Sequence, residues 1–295
     1  MGSHDMCLFV HVFLFLVYAF ASDQYSQAQR AQAPSFMFRS LYSFGDSFVD
    51  PGNNDYIPTF ARSNSPPYGN DFPERIATGR FSNGLLFPDF LAYYIGVETY
   101  QLPYLGPYID LQDSVTAISF ASATSGFDPN TANKTGLLDQ GAKKIAVNGL
   151  PPLGCIPVGI TLLPKNPTKS QVDSSPRKRK CLDYVNDISK DFNALLREAL
   201  EELQSQSPKT KITYIDFEEP LLRIIQNPFD YGFTEVSKGC CGTGLFEIGI
   251  LCNQTTPMCA DASKYVFWDA AHPTERAYEI IFDSNVAAID EIIGS

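Results

Sequence analysis

Apolar positions along the chain follow two periods. Four short runs are rich in β-branched and aromatic residues: LYSF (41–44), TAISFAS (116–122), KKIAVNGL (143–150) and KITYIDF (211–217). Turn-forming residues bound them, Gly-Asp-Ser after the first and Pro151-Pro152 after the third, so each predicts a buried strand. Helical spacing takes over between them. Leu182, Val185, Ile188, Phe192, Leu195, Ala199 and Leu203 fall three or four apart, which predicts one apolar face of an amphipathic helix. EPLLRIIQNP (219–228) predicts a shorter helix. A last helix is predicted from Thr274 to about Ile293, with Pro273 at its start, where a missing N–H costs no hydrogen bond. Strands that alternate with helices pair in parallel through right-handed crossovers, so the pattern predicts an α/β domain with helical layers on its sheet.

A further apolar run, residues 6–21 broken only by His11, ends in Ala19-Phe20-Ala21. That small-x-small ending suits signal peptidase, and the run is short for a membrane span. Residues 1–21 therefore read as a secretion signal, with an uncleaved anchor as the alternative. Residues 22–39 are rich in Gln, Ala and Ser and read as a flexible lead-in. The remainder, 40–295, shows no repeat and no internal linker, and its length suits one domain.

Six of the seven Cys lie beyond the signal: Cys155, Cys181, Cys240, Cys241, Cys252 and Cys259. An even number in a secreted chain points to disulfides, with connectivity open. A zinc site fits badly, because Cys240 and Cys241 are adjacent and one His lies downstream. No metal is expected. Two sequons, at Asn133 and Asn253, would accept glycans on that route. The net charge of −11 disfavours nucleic acid as a partner. Arg177-Lys178-Arg179-Lys180 is a basic run that follows a Pro- and Ser-rich stretch, and reads as a solvated loop.

The segment SFGDSFVDPGNND (43–55) places Ser47 where the first strand breaks. Gly-Asp-Ser is ordinary turn chemistry, and it is also where a nucleophilic serine could stand. A hydroxyl needs a base, most often His at neutral pH. His4 and His11 fall in the signal, which leaves His272, in FWDAAHPT (267–274), three residues after Asp269. A carboxylate at that spacing can hold one ring nitrogen as donor and leave the other to accept from a hydroxyl. Asp before a helix is also good capping chemistry, so either motif alone has a structural explanation. The Gly-x-Ser-x-Gly elbow of α/β-hydrolases is absent around Ser47.

Taken in order, FGDSFVDPGNND (44–55), PPYGNDFPERIATGRFSNG (66–84), GLPPLGCIP (149–157), KGCCGTG (238–244) and VFWDAAHPTERAY (266–278) resemble the successive signatures of plant GDSL esterase/lipases, within the SGNH hydrolase superfamily. The extracellular-lipase-like branch is the nearest in appearance. The resemblance implies a three-layer, flavodoxin-like α/β/α hydrolase, secreted to the cell wall or apoplast. It implies action on small-molecule or lipid carboxylic esters without a cofactor. By motif match Ser47 is the nucleophile, Asp269 the orienting acid and His272 the base. The backbone N–H groups of Ser47 and Gly126 are the oxyanion donors.

One signature is missing. The family's Gly-x-Asn-Asp block supplies an oxyanion asparagine, but only fourteen residues separate Gly126 from Gly141, too few for a strand and helix. The domain thus reads as internally shortened near 127–140 and as lacking part of the central sheet. Gly52-Asn53-Asn54-Asp55 matches the letters on the wrong loop, and Asn148 is a candidate on position alone. A secreted ester hydrolase of reduced activity is the first expectation. A catalytically impaired glycoprotein, or a truncated product, is the alternative. The sequence sets neither the acyl substrate nor the oligomeric state.

Overall fold

The computed structural model describes residues 40–97, 99–107, 116–126, 137, 141–164 and 179–294. The proposed signal, the lead-in and the sequon at Asn133 lie outside the described residues. Seven strands are described: β1 (Ser40–Ser43), β2 (Leu102–Pro103), β3 (Thr116–Ser119), β4 (Lys144–Asn148), β5 (Lys211–Ile215), β6 (Glu235–Gly239) and β7 (Tyr265–Phe267). The helices are α1 (Phe87–Tyr94), α2 (Pro157–Leu162), α3 (Asp183–Gln206), α4 (Glu218–Gln226) and α5 (Glu275–Ile293).

All four runs read as strands form strands, and all named strand pairs are parallel. They assemble as three pieces, in the orders β1-β3-β2, β4-β5 and β6-β7. Among the described residues β1 pairs on one side only, with β3, and β4 on one side only, with β5. The consequence is visible in exposure. Tyr42 and Phe44 at β1 and Ala146 and Asn148 on β4 face solvent, where a central strand of an α/β sheet would be covered on both faces.

The main core lies on one face of these pieces, where α1, α4 and α5 pack Phe87, Leu221, Ile224, Tyr278, Ile281 and Ile289 against Ala117, Ile215 and Phe267. Around β5 the layers are complete: Ile215 faces that core, and Tyr214 on the other face lies under the Arg197 guanidinium of α3, 4.1 Å from its centroid. The start of α5 follows the sequence reading, with Thr274 as its cap: the Thr274 hydroxyl accepts from Ala277 N–H. At the other end Lys144 Nζ donates to the carbonyls of Ile292 and Ile293, which ties α5 to β4.

The face of α3 differs from expectation. Val185, Ser189 and Asn193 are its buried line, whereas Ile188 is 60 % and Leu195 66 % exposed. Polar docking explains the rotation: Asn193 accepts from Leu150 N–H and donates to Leu150 C=O and Glu218, and Ser189 accepts from Leu153 N–H. These bonds fix α3 on the turn after β4; Leu182 and Val185 of the expected stripe stay buried, and Ile188 and Leu195 are left outward. The basic run is also corrected in part, since Arg179 is docked, donating to the carbonyls of Pro157 and Ser237 and to the Thr161 hydroxyl. Arg177 and Lys178 lie outside the described residues.

Six Cys form three disulfides, Cys155–Cys181, Cys240–Cys259 and Cys241–Cys252. No helix among the described residues is long and apolar enough to cross a membrane.

Candidate active site

Ser47 follows β1 on a tight turn. Gly45 lies at φ +154°, and a side chain there would meet Val49 at 2.7 Å. Asp46 closes the turn by accepting Phe48 N–H on its side chain and Val49 N–H on its carbonyl. This geometry turns the Ser47 side chain toward His272, 225 residues away in the chain, with Oγ 2.7 Å from Nε2.

Asp269 and His272 belong to the loop between β7 and α5. Asp269 Oδ1 accepts the N–H groups of Ala271 and His272, both at 2.8 Å, so the carboxylate folds its own loop into a turn. That turn aims the imidazole back: His272 Nδ1 lies 2.9 Å from Oδ1 and 2.8 Å from Oδ2. A hydrogen bond from Trp268 N–H to His272 C=O closes the loop's base. Asp269 is 0 % and His272 4 % exposed, and the rings of Phe81 and Phe48 stand 4.8 and 5.6 Å from the imidazole. Gly239 of β6 allows this loop to approach, because a Cβ there would lie 2.4 Å from Asp269 C=O.

The loop after β3 reaches the turn that carries Ser47. Ser122 N–H and the Ser125 hydroxyl both donate to Gly45 C=O, two residues before Ser47, and Gly126 follows directly. The tetrad Gly52-Asn53-Asn54-Asp55 has another task. Asn53 donates to the carbonyls of Ser119 and Ala121, and Asn54 to those of Ala61 and Ala123. Asp50 completes the staple by accepting from Gly52, Asn53 and Ala123 N–H, while burial raises its pKa. These amides bind the β3 loop and are committed there. Asn148 ends β4 in a different sheet piece, paired with Ile215. Asn253 is half-buried on the Cys241–Cys252 loop, where its amide donates to Ile250 C=O and its oxygen accepts the Thr255 hydroxyl.

Sequence reasoning passed over Tyr68, although its motif was conspicuous. Its hydroxyl donates to Asp269 Oδ2 at 2.7 Å and accepts Gly249 N–H at 2.8 Å. Nothing in PPYG marks the phenol as a partner of a carboxylate 201 residues on.

A serine hydroxyl, an imidazole and a carboxylate in series can move a proton from nucleophile to base. Comparison with known proteins gives this chain a family. The model of the GDSL-like lipase/acylhydrolase family matches residues 129–285. The GDSL esterase/lipase At1g06990 of Arabidopsis thaliana is 31 % identical, over 97 % of this chain and 100 % of the relative. The chain belongs to the GDSL-like lipase/acylhydrolase family. Two more relatives from the same plant are the GDSL esterase/lipase At1g20120, 35 % identical over 83 % of this chain and 78 % of its own, and the GDSL esterase/lipase EXL3, 31 % identical over 84 % and 86 %. The alignment with At1g06990 spans 370 positions, more than the 295 residues of this GDSL chain, so the relative carries residues that this one lacks. Membership supports an ester hydrolase function.

Proposed function

We propose that this GDSL protein is a secreted serine ester hydrolase in which Ser47, His272 and Asp269 act in series. The observation that carries this is the 2.7 Å separation of Ser47 Oγ and His272 Nε2, with Nδ1 of the same ring held by Asp269. Ser47 Oγ attacks the ester carbonyl as its proton passes to Nε2, and a tetrahedral oxyanion forms. The imidazolium returns that proton to the leaving alcohol as the C–O bond breaks, and a water activated by His272 then releases the acid. The backbone N–H groups of Ser47 and Gly126 are the proposed oxyanion donors.

The proposed chain is internally shortened near 127–140, and the family's oxyanion asparagine is missing with that block. One such donor is worth about a hundred- to a thousandfold in turnover, so a slow enzyme is expected. Residues 1–21 are the proposed export signal, 40–295 the hydrolase domain, Asn133 and Asn253 the proposed glycan acceptors, and the apoplast or cell wall the proposed destination. The substrate is a small-molecule or lipid ester, with no nucleic-acid partner and no stable membrane span. Hydrolysis of short p-nitrophenyl esters tests the reading. The wild type should turn over slowly and Ser47→Ala should not exceed background; equal rates in the two would sink it.

A further inference from the structure

We infer that Tyr68 is a positioning residue of the site, holding Asp269 so that the carboxylate presents one fixed face to His272. The inference rests on the serine-hydrolase reading of that site.

Asp269 offers two oxygens to one imidazole N–H at nearly equal distances, 2.9 and 2.8 Å. Without further restraint the carboxylate could rotate about its terminal torsion, which is a broad one. Its two oxygens are held by different means. The backbone of Ala271 and His272 holds Oδ1, and the Tyr68 hydroxyl holds Oδ2. Tyr68 in turn is directed: its oxygen accepts Gly249 N–H, which leaves the O–H to point at Asp269.

The phenol is itself firmly seated. Tyr68 is 1 % exposed, and its ring meets Phe81 and Trp268 edge-on at 5.8 and 6.2 Å. Gly249 lies between Cys241 and Cys252, so a disulfide limits the loop that supplies the N–H. Burial, then the Asp269 charge, push the phenol's pKa well above its usual value, which keeps it a donor wherever the enzyme is folded. Phe81, against which Tyr68 packs, also stands beside the His272 ring. Tyr68 therefore joins three separate chain segments at the orienting carboxylate, touching neither Ser47 nor the imidazole by hydrogen bond among the described residues.

Tyr68→Phe removes the hydroxyl and keeps the ring packing. Its kcat toward p-nitrophenyl esters should fall roughly tenfold with KM unchanged, the scale of one hydrogen bond to a charged group acting through a neighbour. In an Asp269→Asn background the same change should alter the residual rate less than about twofold, since the path runs through that carboxylate. A spectroscopic arm is independent of turnover: with ¹⁵N-histidine labelling, and His272→Ala for assignment, the Nδ1–H resonance of His272 should move in Tyr68→Phe. If the wild type lacks hydrolysis, the Ser47 reading fails while this arm still decides the role of Tyr68. A folded Tyr68→Phe with unchanged kcat or an unmoved resonance overturns the inference. So does a lowered Tm alone, or a loss that simply adds to that of Asp269→Asn.

Discussion

His272 stands between two aromatic rings and faces two oxygens of a buried carboxylate, with one nitrogen left toward Ser47. Asp269→Asn would present an amide where the ring needs an acceptor, which favours the wrong tautomer. A loss of about 10⁴-fold in kcat is expected on this account, the scale known when the orienting acid of a serine triad is made an amide. Steady-state hydrolysis of p-nitrophenyl esters checks it, and circular dichroism should show an intact fold. At this scale the sequence was informative because it was sparse. A chain with a single His beyond residue 11 leaves little choice of base, and Asp269 sits close enough in sequence to be its partner. Tyr68 was illegible for the opposite reason: its contact with Asp269 spans 201 residues and exists only after folding. Asn53 and Asn54 show the same limit, since only the structure reveals that their amides serve the β3 loop.

Between residues and the whole, two elements carry the supports of the site. Arg80 is buried and donates two nitrogens to the two oxygens of Asp89 at 2.8 and 2.7 Å, while Asp89 also accepts Leu86 and Gln101 N–H. The pair fixes the start of α1 to the segment that carries Phe81. Arg80→Ala leaves a buried carboxylate without its cation and should cost about 3–5 kcal/mol in denaturant unfolding. At the start of α5, burial and the neighbouring Asp71 and Glu279 raise the Glu275 pKa to about 7 from 4.5. Asp55, raised by burial and by Asp50 to about 6 from 3.8, acts in the same sense. Folding takes up protons between those values, so stability should fall as pH rises from about 4 to 7. Thermal melts across that range should show it, and Glu275→Gln should flatten the upper part of the slope. Strands with alternating or β-branched runs were legible, whereas β6 and β7 were not. EVSKG has only one apolar residue and YVF is three residues long, so periodicity has little to act on.

Over the whole molecule, apolar surface is left outward in two places, at the ends of the β1-β3-β2 piece and at Ile188 and Leu195 of α3. Phe44, Phe120 and Tyr104 form an exposed aromatic row at the ends of β1, β3 and β2, with stacked or tilted rings 5.2 and 4.5 Å apart. Exposed apolar surface of this kind favours association. Sedimentation velocity should therefore show association that rises with concentration. Ile188→Lys with Leu195→Lys should reduce it and leave Tm within about a degree, because neither side chain is buried. The periodicity of α3 located the helix correctly but only part of its buried face: Leu182 and Val185 are buried as expected, and the rest is decided by Asn193 and Ser189 through bonds to the turn after β4. The most direct test asks whether the nucleophile and base still meet in a chain built this way. Monodisperse, folded protein is treated with a fluorophosphonate probe and digested for mass spectrometry. A covalent adduct on Ser47 is expected, lost in Ser47→Ala and strongly slowed in His272→Ala; a folded sample that takes up no probe at Ser47 would contradict the serine-hydrolase reading.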